Sequence, residues 1–406
     1  MQPVGPVSLA AQRMSLRVFI LAGEPSGDRL GGALMAGLRQ LRPDVSFDGV
    51  GGALMAEQGL KSRFDMSELS VMGLAEVLPK YRQLKRRIRE TAEVVLDMKP
   101  DVMITIDSPD FSLRVAALVK EASSIRTVHY VAPSVWAWRP KRAEKMARVI
   151  DHVLALLPFE PPYMQAAGME CDFVGHPVVG EPQATAEEIA AFRQAYQLDD
   201  TPTVLALPGS RRSEVTRLAP VFGAALKQFQ DSHPEYRIVV PAAGPVADLV
   251  RSHLAEWSDT AVVIDPNTLD GEVAKAHKRA AFAAADLALA ASGTVSLELA
   301  AARIPMVIAY KFQWLTWHIM RRMALIDTVT LVNLVSDTRV VPECLGPECA
   351  PEAIAKALIK IKAAPSAQSS AMATTMERLG EGGEDPGLRA ARAVLDRLSA
   401  QTSAAS

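Results

Sequence analysis

Residues 205–215 read LALPGSRRSEV. An apolar run ends in proline and glycine, and a serine and two arginines follow where a helix begins. A strand, a glycine turn and a helix start together build an anion site, because the first helical turn offers unpaired N–H groups and the positive end of its dipole. Arg211 adds a planar fork that suits phosphate. The same residues also suit a surface turn capped by Ser210. The rest of the chain decides between the two.

Outward from this stretch, short apolar runs alternate with helix-period segments. The pattern predicts strands over 17–22, 45–50, 101–106, 126–131 and 151–156, then over 203–207, 237–241, 261–264, 286–290 and 305–310. Helical periodicity falls on 29–41, 82–98, 111–122, 213–230 and 293–302. The strand runs are continuously apolar, as strands buried on both faces are. The expected class is α/β: two Rossmann-like, doubly wound parallel-sheet domains of about five strands each, facing across a cleft, with ligands at the C-terminal strand ends. GHPVVGEPQATAEE, 175–188, breaks the pattern and reads as a hinge. The expected organisation is a loose extension over 1–16, a first domain over 17–180, a second over 181–363 and a tail over 364–406. The tail is expected to be helical and to pack on the first domain or on a partner subunit.

Composition removes several classes. The chain has 406 residues, 49% hydrophobic and 22% charged, with a net charge of −2. That balance fits a soluble globular protein and argues against bulk nucleic-acid binding. Cys171, Cys344 and Cys349 are too few for a disulfide framework, so a reducing cytoplasm fits best. The N-terminus lacks the basic start of a signal peptide, and Asp286, Glu298 and Arg303 interrupt the alanine-rich region around 281–310.

Each candidate motif ends a predicted strand. LAGEPSGDRLGG, 21–32, places Gly23, Ser26, Gly27 and Asp28 at a helix start, where glycine lets a substrate approach the backbone; a tight βα turn explains it equally. In ITIDSPDF, 104–111, Asp107 either accepts a proton from a hydroxyl nucleophile or caps the next helix. Its spacing is not that of a metal-dependent nucleotide-sugar site, and no metal is expected. HYVAPSVWAWRPKR, 129–142, holds Trp136, Trp138 and Arg139 in a cationic loop; the tryptophans also suit plain packing, and His129 reads as structural. ALAASGTVSLELAAA, 288–302, repeats the strand–glycine–helix start at Ser292, Gly293 and Thr294. Glu298, an isolated acid in that run, would hold a ribose diol or pair with an arginine. Finally, 74–90 sets Leu78 and other apolar residues at helical spacing among Arg82, Lys85 and Arg86. That pattern suits either a sheet-packing helix or an element lying on an anionic membrane.

Two anion turns, a ribose-holding acid and a separate carboxylate describe a nucleotide-sugar glycosyltransferase of two Rossmann domains. AGEPSGD (22–28), VMGLAEVL (71–78), IDSPDF (106–111), HYVAPSVWAWR (129–139), LPFE (157–160), FVGHP (173–177), LPGSR (207–211), ASGTVSLE (291–298) and LVNLV (331–335) carry a closer resemblance. In this order they resemble the lipid-A-disaccharide synthase family, inverting GT-B glycosyltransferases of lipid A assembly. The resemblance implies transfer from UDP-2,3-diacylglucosamine to 2,3-diacylglucosamine 1-phosphate, giving a β-1,6-linked disaccharide and UDP without metal or cofactor. It implies Asp107 as the base for the acceptor hydroxyl. Arg211, Ser292, Gly293, Thr294, Glu298 and Asn333 would line the UDP site, beside Gly209 and Ser210 of the first turn. It further implies a cytoplasmic enzyme held peripherally at the inner membrane, and it allows a homodimer with exchanged C-terminal segments. The competing reading is another UDP-sugar enzyme of this architecture, such as a 2-epimerase.

Overall fold

A computed structural model describes residues 15–69, 74–254, 256–257 and 261–405, with side chains described outside 74–81, 314–316 and 402–405. The chain divides into two compact units. The first comprises residues up to Val135, Arg139–Pro177 and Glu384 onward; the second comprises Trp136–Trp138 and Val178–Gly383. Most of the extension expected over 1–16 lies outside the described residues. Its last residue, Leu16, is already buried in the first core.

In the first unit, strands β1 (Arg17–Ala22), β2 (Ser46–Val50), β3 (Val102–Ile106), β4 (Arg126–Tyr130), β5 (His152–Ala155) and β6 (Glu170–Phe173) form a parallel sheet ordered β2-β1-β3-β4-β5-β6. Both faces are covered, as the continuous apolar runs require. Along β1, Val18 and Ile20 join the core on one face while Phe19 and Leu21 join the core on the other.

The second unit holds β7 (Thr203–Leu207), β8 (Arg237–Pro241), β9 (Val262–Ile264), β10 (Leu287–Ala290), β11 (Met306–Tyr310) and β12 (Glu343–Leu345), ordered β12-β11-β10-β7-β8-β9. Counted from its own first strand this is 3-2-1-4-5-6, the dinucleotide-fold order.

Each sheet therefore has six strands where about five were expected. The additions, β6 and β12, are short edge strands carrying charged residues, ECDF and ECL. Edge strands are commonly kept short and charged, which removes the apolar run that reveals a strand.

The strand order fixes where ligands go. In a doubly wound sheet the crevice opens where the winding reverses, at the C-terminal ends of two adjacent strands. In the first unit these are β1 and β3, paired through Ala22 and Ile106. In the second they are β7 and β10, paired through Leu207 and Ala290. The segments that follow are those holding Gly23, Asp107, Gly209 and Ser292.

The tail does not behave as one piece. The helix Ser366–Leu379 belongs to the second unit, and the helix Pro386–Ala405 packs in the first against the helix Pro25–Leu41.

Candidate active site

In the second unit the turns after β7 and β10 wall a cavity of about 700 Å³. Gly209, Ser210, Arg211 and Glu214 come from the first turn; Ser292, Gly293, Thr294 and Glu298 come from the second. The helix Gly271–Ala283 adds Lys275, Lys278 and Phe282. Two motifs about eighty residues apart in sequence thus meet at one site, because β7 and β10 are neighbours.

The first turn is built on Gly209, whose φ of +112° lies in the left-handed region. Glu214, three residues into the helix Arg212–Ser232, turns back onto it. Its Oε2 accepts the N–H groups of Ser210 at 3.2 Å and Arg211 at 3.3 Å, and Arg211 Nη1 donates to Oε1 at 3.2 Å. This corrects the expectation that the amides of 209–212 stand open to a phosphate. Those of Ser210 and Arg211 are occupied by the protein's own carboxylate.

At the second turn Gly293 has φ +150°, and a Cβ there would meet nothing within 4 Å. Ser296 Oγ donates to the Gly293 carbonyl at 3.0 Å, which fixes the turn from below. Glu298 is half-buried and pairs with Lys278 at 2.6 Å, while the Lys278 ammonium lies 5.4 Å from the centre of the Phe282 ring. The acid is therefore neither unpaired nor matched by arginine; a lysine twenty residues earlier serves. Asn333 does not line this cavity. It is buried, and its amide is spent on Thr328 and on both main-chain groups of Val341. Glu214 and Lys278 were not singled out in the sequence. A Glu three residues after a helix start is a capping signal that was available, whereas Lys278 reaches Glu298 only through the fold.

In the first unit Asp107 directly follows β3 with φ +51°, and Ser108 comes next at +46°. Two consecutive left-handed residues without glycine cost about 1–3 kcal/mol each, and such strain gathers at functional sites. The surroundings hold them in place. Asp107 N–H donates to Tyr130 O at 3.0 Å, Ser112 Oγ donates to Asp107 O at 2.8 Å, and the Phe111 and Ser112 amides both donate to Ser108 O. Gly23 packs against this junction so closely that a Cβ there would stand 2.5 Å from Ser108 Oγ. The Asp107 carboxylate is half-exposed and makes no hydrogen bond or ion pair among the described residues. Ser108, not Asp107, occupies the cap position of the following helix. Of the two sequence readings, the helix cap is not taken up.

Other candidates are more ordinary. Ser26 is exposed, Gly27 is buried, and Asp28 is buried with its carboxylate accepting the amides of Gly52, Leu54 and Met55 at 2.7–3.1 Å. Asp28 thus caps the short helix Ala53–Glu57. Asp28→Ala is expected to cost about 3 kcal/mol of stability, since three main-chain donors, one of them buried, lose a charged acceptor; urea unfolding would measure it, and a loss under about 1 kcal/mol would contradict the role. Trp136 is buried, Trp138 half-buried and Arg139 exposed, the last at φ +50°. His129 is buried against Thr105 at 2.7 Å, and burial pushes its pKa down to about 4, so it stays neutral, as a structural histidine would.

On the helix Leu74–Met98 the side chain of Leu78 lies outside the described residues, while Arg82, Lys85 and Arg86 are exposed. Leu84 and Ile88 pack into the core, so along the described part the apolar stripe is used internally and the outer face is basic.

The sequence profile of the family described as Lipid-A-disaccharide synthetase matches residues 18–386. The lipid-A-disaccharide synthase of Ruegeria pomeroyi is 71% identical over 399 residues, covering 98% of this chain and all of that protein. That of Rhodospirillum centenum is 47% identical, with 95% of each chain covered. Among solved structures, the UDP-GlcNAc 2-epimerase of Neisseria meningitidis bound to UDP-GlcNAc superposes with a TM-score of 0.60 at 13% identity, covering 95% of this chain and 99% of that one. Acinetobacter baumannii MurG gives 0.53 at 14%, covering 95% and 99%. At such identities the likeness concerns the two-sheet fold, whereas the near full-length relatives decide the family. The chain belongs to the lipid-A-disaccharide synthetase family.

Proposed function

We propose that this protein transfers a diacylated glucosamine from a UDP carrier to the 6-hydroxyl of a diacylglucosamine 1-phosphate, forming the β-1,6-linked lipid A disaccharide and releasing UDP. The observation that carries the reading is the cavity at the winding reversal of the second sheet, walled by two strand–glycine–helix turns, in a chain 71% identical to a lipid-A-disaccharide synthase. A cavity of about 700 Å³ suits a nucleoside diphosphate.

The roles follow from the chemistry. The glycosidic bond to the diphosphate breaks, and the departing oxygen gains negative charge. Main-chain N–H groups of the Ser292–Thr294 turn and the Arg211 guanidinium stabilise that charge without reorganising at the moment of reaction. Glu298, with Lys278 beside it, holds the ribose hydroxyls. Asp107 takes the proton of the attacking hydroxyl as the new bond forms on the opposite face of the sugar, which inverts the anomeric centre. A carboxylate is a weak base toward an alcohol, so the proton moves late, once the sugar is strongly cationic.

The enzyme works at the cytoplasmic face of the inner membrane, where its acylated substrates reside. Among the described residues no helix is long and apolar enough to cross a membrane. Attachment is therefore read as peripheral, through the exposed Arg82, Lys85 and Arg86. Reversing those three charges is expected to move the protein from the pellet to the supernatant when sedimented with anionic vesicles, each charge being worth about 1 kcal/mol at such a surface. Unchanged sedimentation would remove this helix from the membrane contact.

Incubation with both diacylated substrates in detergent micelles, followed by mass analysis, tests the main reading. A disaccharide that appears together with UDP, and no UDP without the acceptor, is the expected result. A 2-epimerised UDP-sugar formed in the absence of acceptor would replace it with the competing reading.

A further inference from the structure

We infer that Glu214 sets the affinity of the cavity for nucleotide, by standing in for a phosphate group while the cavity is empty and giving way when a nucleoside diphosphate arrives. The inference rests on the reading of this cavity as a UDP site and goes beyond it, because it assigns a residue that the anion-turn argument leaves out.

The carboxylate has the partners a phosphate would seek: two successive main-chain amides on Oε2 and a guanidinium on Oε1. The turn is shaped around it. A Cβ at Gly209 would stand 2.6 Å from Oε2, so any side chain there would push the carboxylate out. The absent side chain keeps room for an anion, and the anion present is the protein's own.

The grip is also loose. Distances of 3.2–3.3 Å lie at the long end for charge-assisted bonds; the Glu214 side chain is only 13% exposed, but the Arg211 that holds it is 59% exposed. Asp28 shows the contrast: it caps its helix at 2.7–3.1 Å from a buried position and is a permanent fixture. Glu298, also on the cavity wall, is paired with Lys278 and holds no amide among the described residues.

Two anions cannot share these donors, since repulsion at contact distance in a partly shielded site is worth several kcal/mol. A diphosphate therefore turns Glu214 outward and takes Arg211 from it. The competition lowers affinity for donor and product alike. Its service is to product: as UDP starts to leave, Glu214 reclaims the amides and keeps the phosphate from rebinding.

The test is titration calorimetry of the full-length protein with UDP, and with uridine as a probe that lacks phosphate. Glu214→Gln keeps the shape and removes the charge. It is expected to bind UDP about tenfold more tightly, with uridine affinity unchanged. In steady state the donor KM and kcat are expected to fall together as UDP release slows. Should the glutamine variant fail to fold, Glu214→Ala carries the same test. Unchanged UDP affinity would overturn the inference, and weaker binding would do so by making Glu214 a support of the turn. Wild-type protein that binds no UDP would instead overturn the nucleotide reading, and the inference with it.

Discussion

Asp107→Asn is expected to lower kcat by about three orders of magnitude while UDP binds as to the wild type. The substitution is nearly isosteric, and asparagine is among the few residues that accept a left-handed backbone. The φ of +51° at this position is therefore tolerated and the β3 junction survives. What is lost is the proton acceptor. The carboxylate has no partner among the described residues, so its removal leaves no orphaned donor behind and should cost little stability. UDP affinity separates the roles, because the proposed nucleotide contacts all belong to the second unit. Rapid-quench measurement of turnover, beside calorimetry with UDP, reads both. A variant that turns over at a near-normal rate would take Asp107 out of proton transfer.

The part of this protein legible in its sequence is the part that local pattern controls. Continuous, β-branched apolar runs such as RVFILA and VMITI fit strands covered on both faces, and both are strands. Once their order is doubly wound, glycine turns at strand ends mark the ligand crevice. Gly209, Ser292 and Asp107 all stand just past strand ends of this kind. Roles that depend on distant partners were hidden. Asp28 and Asp107 both follow a strand, yet one is buried under three amides and the other is free of them. Nothing local separates the two. Asn333 holds its own loop together through Val341, and no spacing announces that. Lys278 and Glu298 meet across two helices. The edge strands β6 and β12 were missed because polar edges suppress the very pattern used to find strands.

The C-terminal helix gives the largest expected effect on stability. Removal of residues after Gly383 should leave the first unit unable to fold, although the cut lies more than two hundred residues beyond its last strand. The helix Pro386–Ala405 places Ala390, Ala391 and Val394 in the same core as Leu30, Leu34 and Leu38 of the helix Pro25–Leu41. The two helices touch through glycine. A Cβ on Gly37 would stand 2.7 Å from the Gly387 carbonyl, and a Cβ on Gly387 would stand 2.7 Å from that of Ala33. Gly37→Val should accordingly force the helices apart and cost about 3 kcal/mol or more, seen as a lowered first transition in calorimetry.

Arg397 then fastens the helix to β6 through a fork onto Asp172, which also takes His152 Nε2 at 2.9 Å. The hydrogen bond from His152, and after it the Arg397 fork, hold the Asp172 carboxyl well below the usual carboxylate range, against the pull of burial. A depressed carboxyl contributes stability above its unfolded pKa of about 4 and loses it as pH falls toward the folded value. Acid should therefore loosen this helix below about pH 4, and Asp172→Asn should remove that part of the acid sensitivity. Hydrogen exchange over 386–405 would follow both effects. A truncated chain with an intact first unit would mean that the helix is an ornament on a core complete without it.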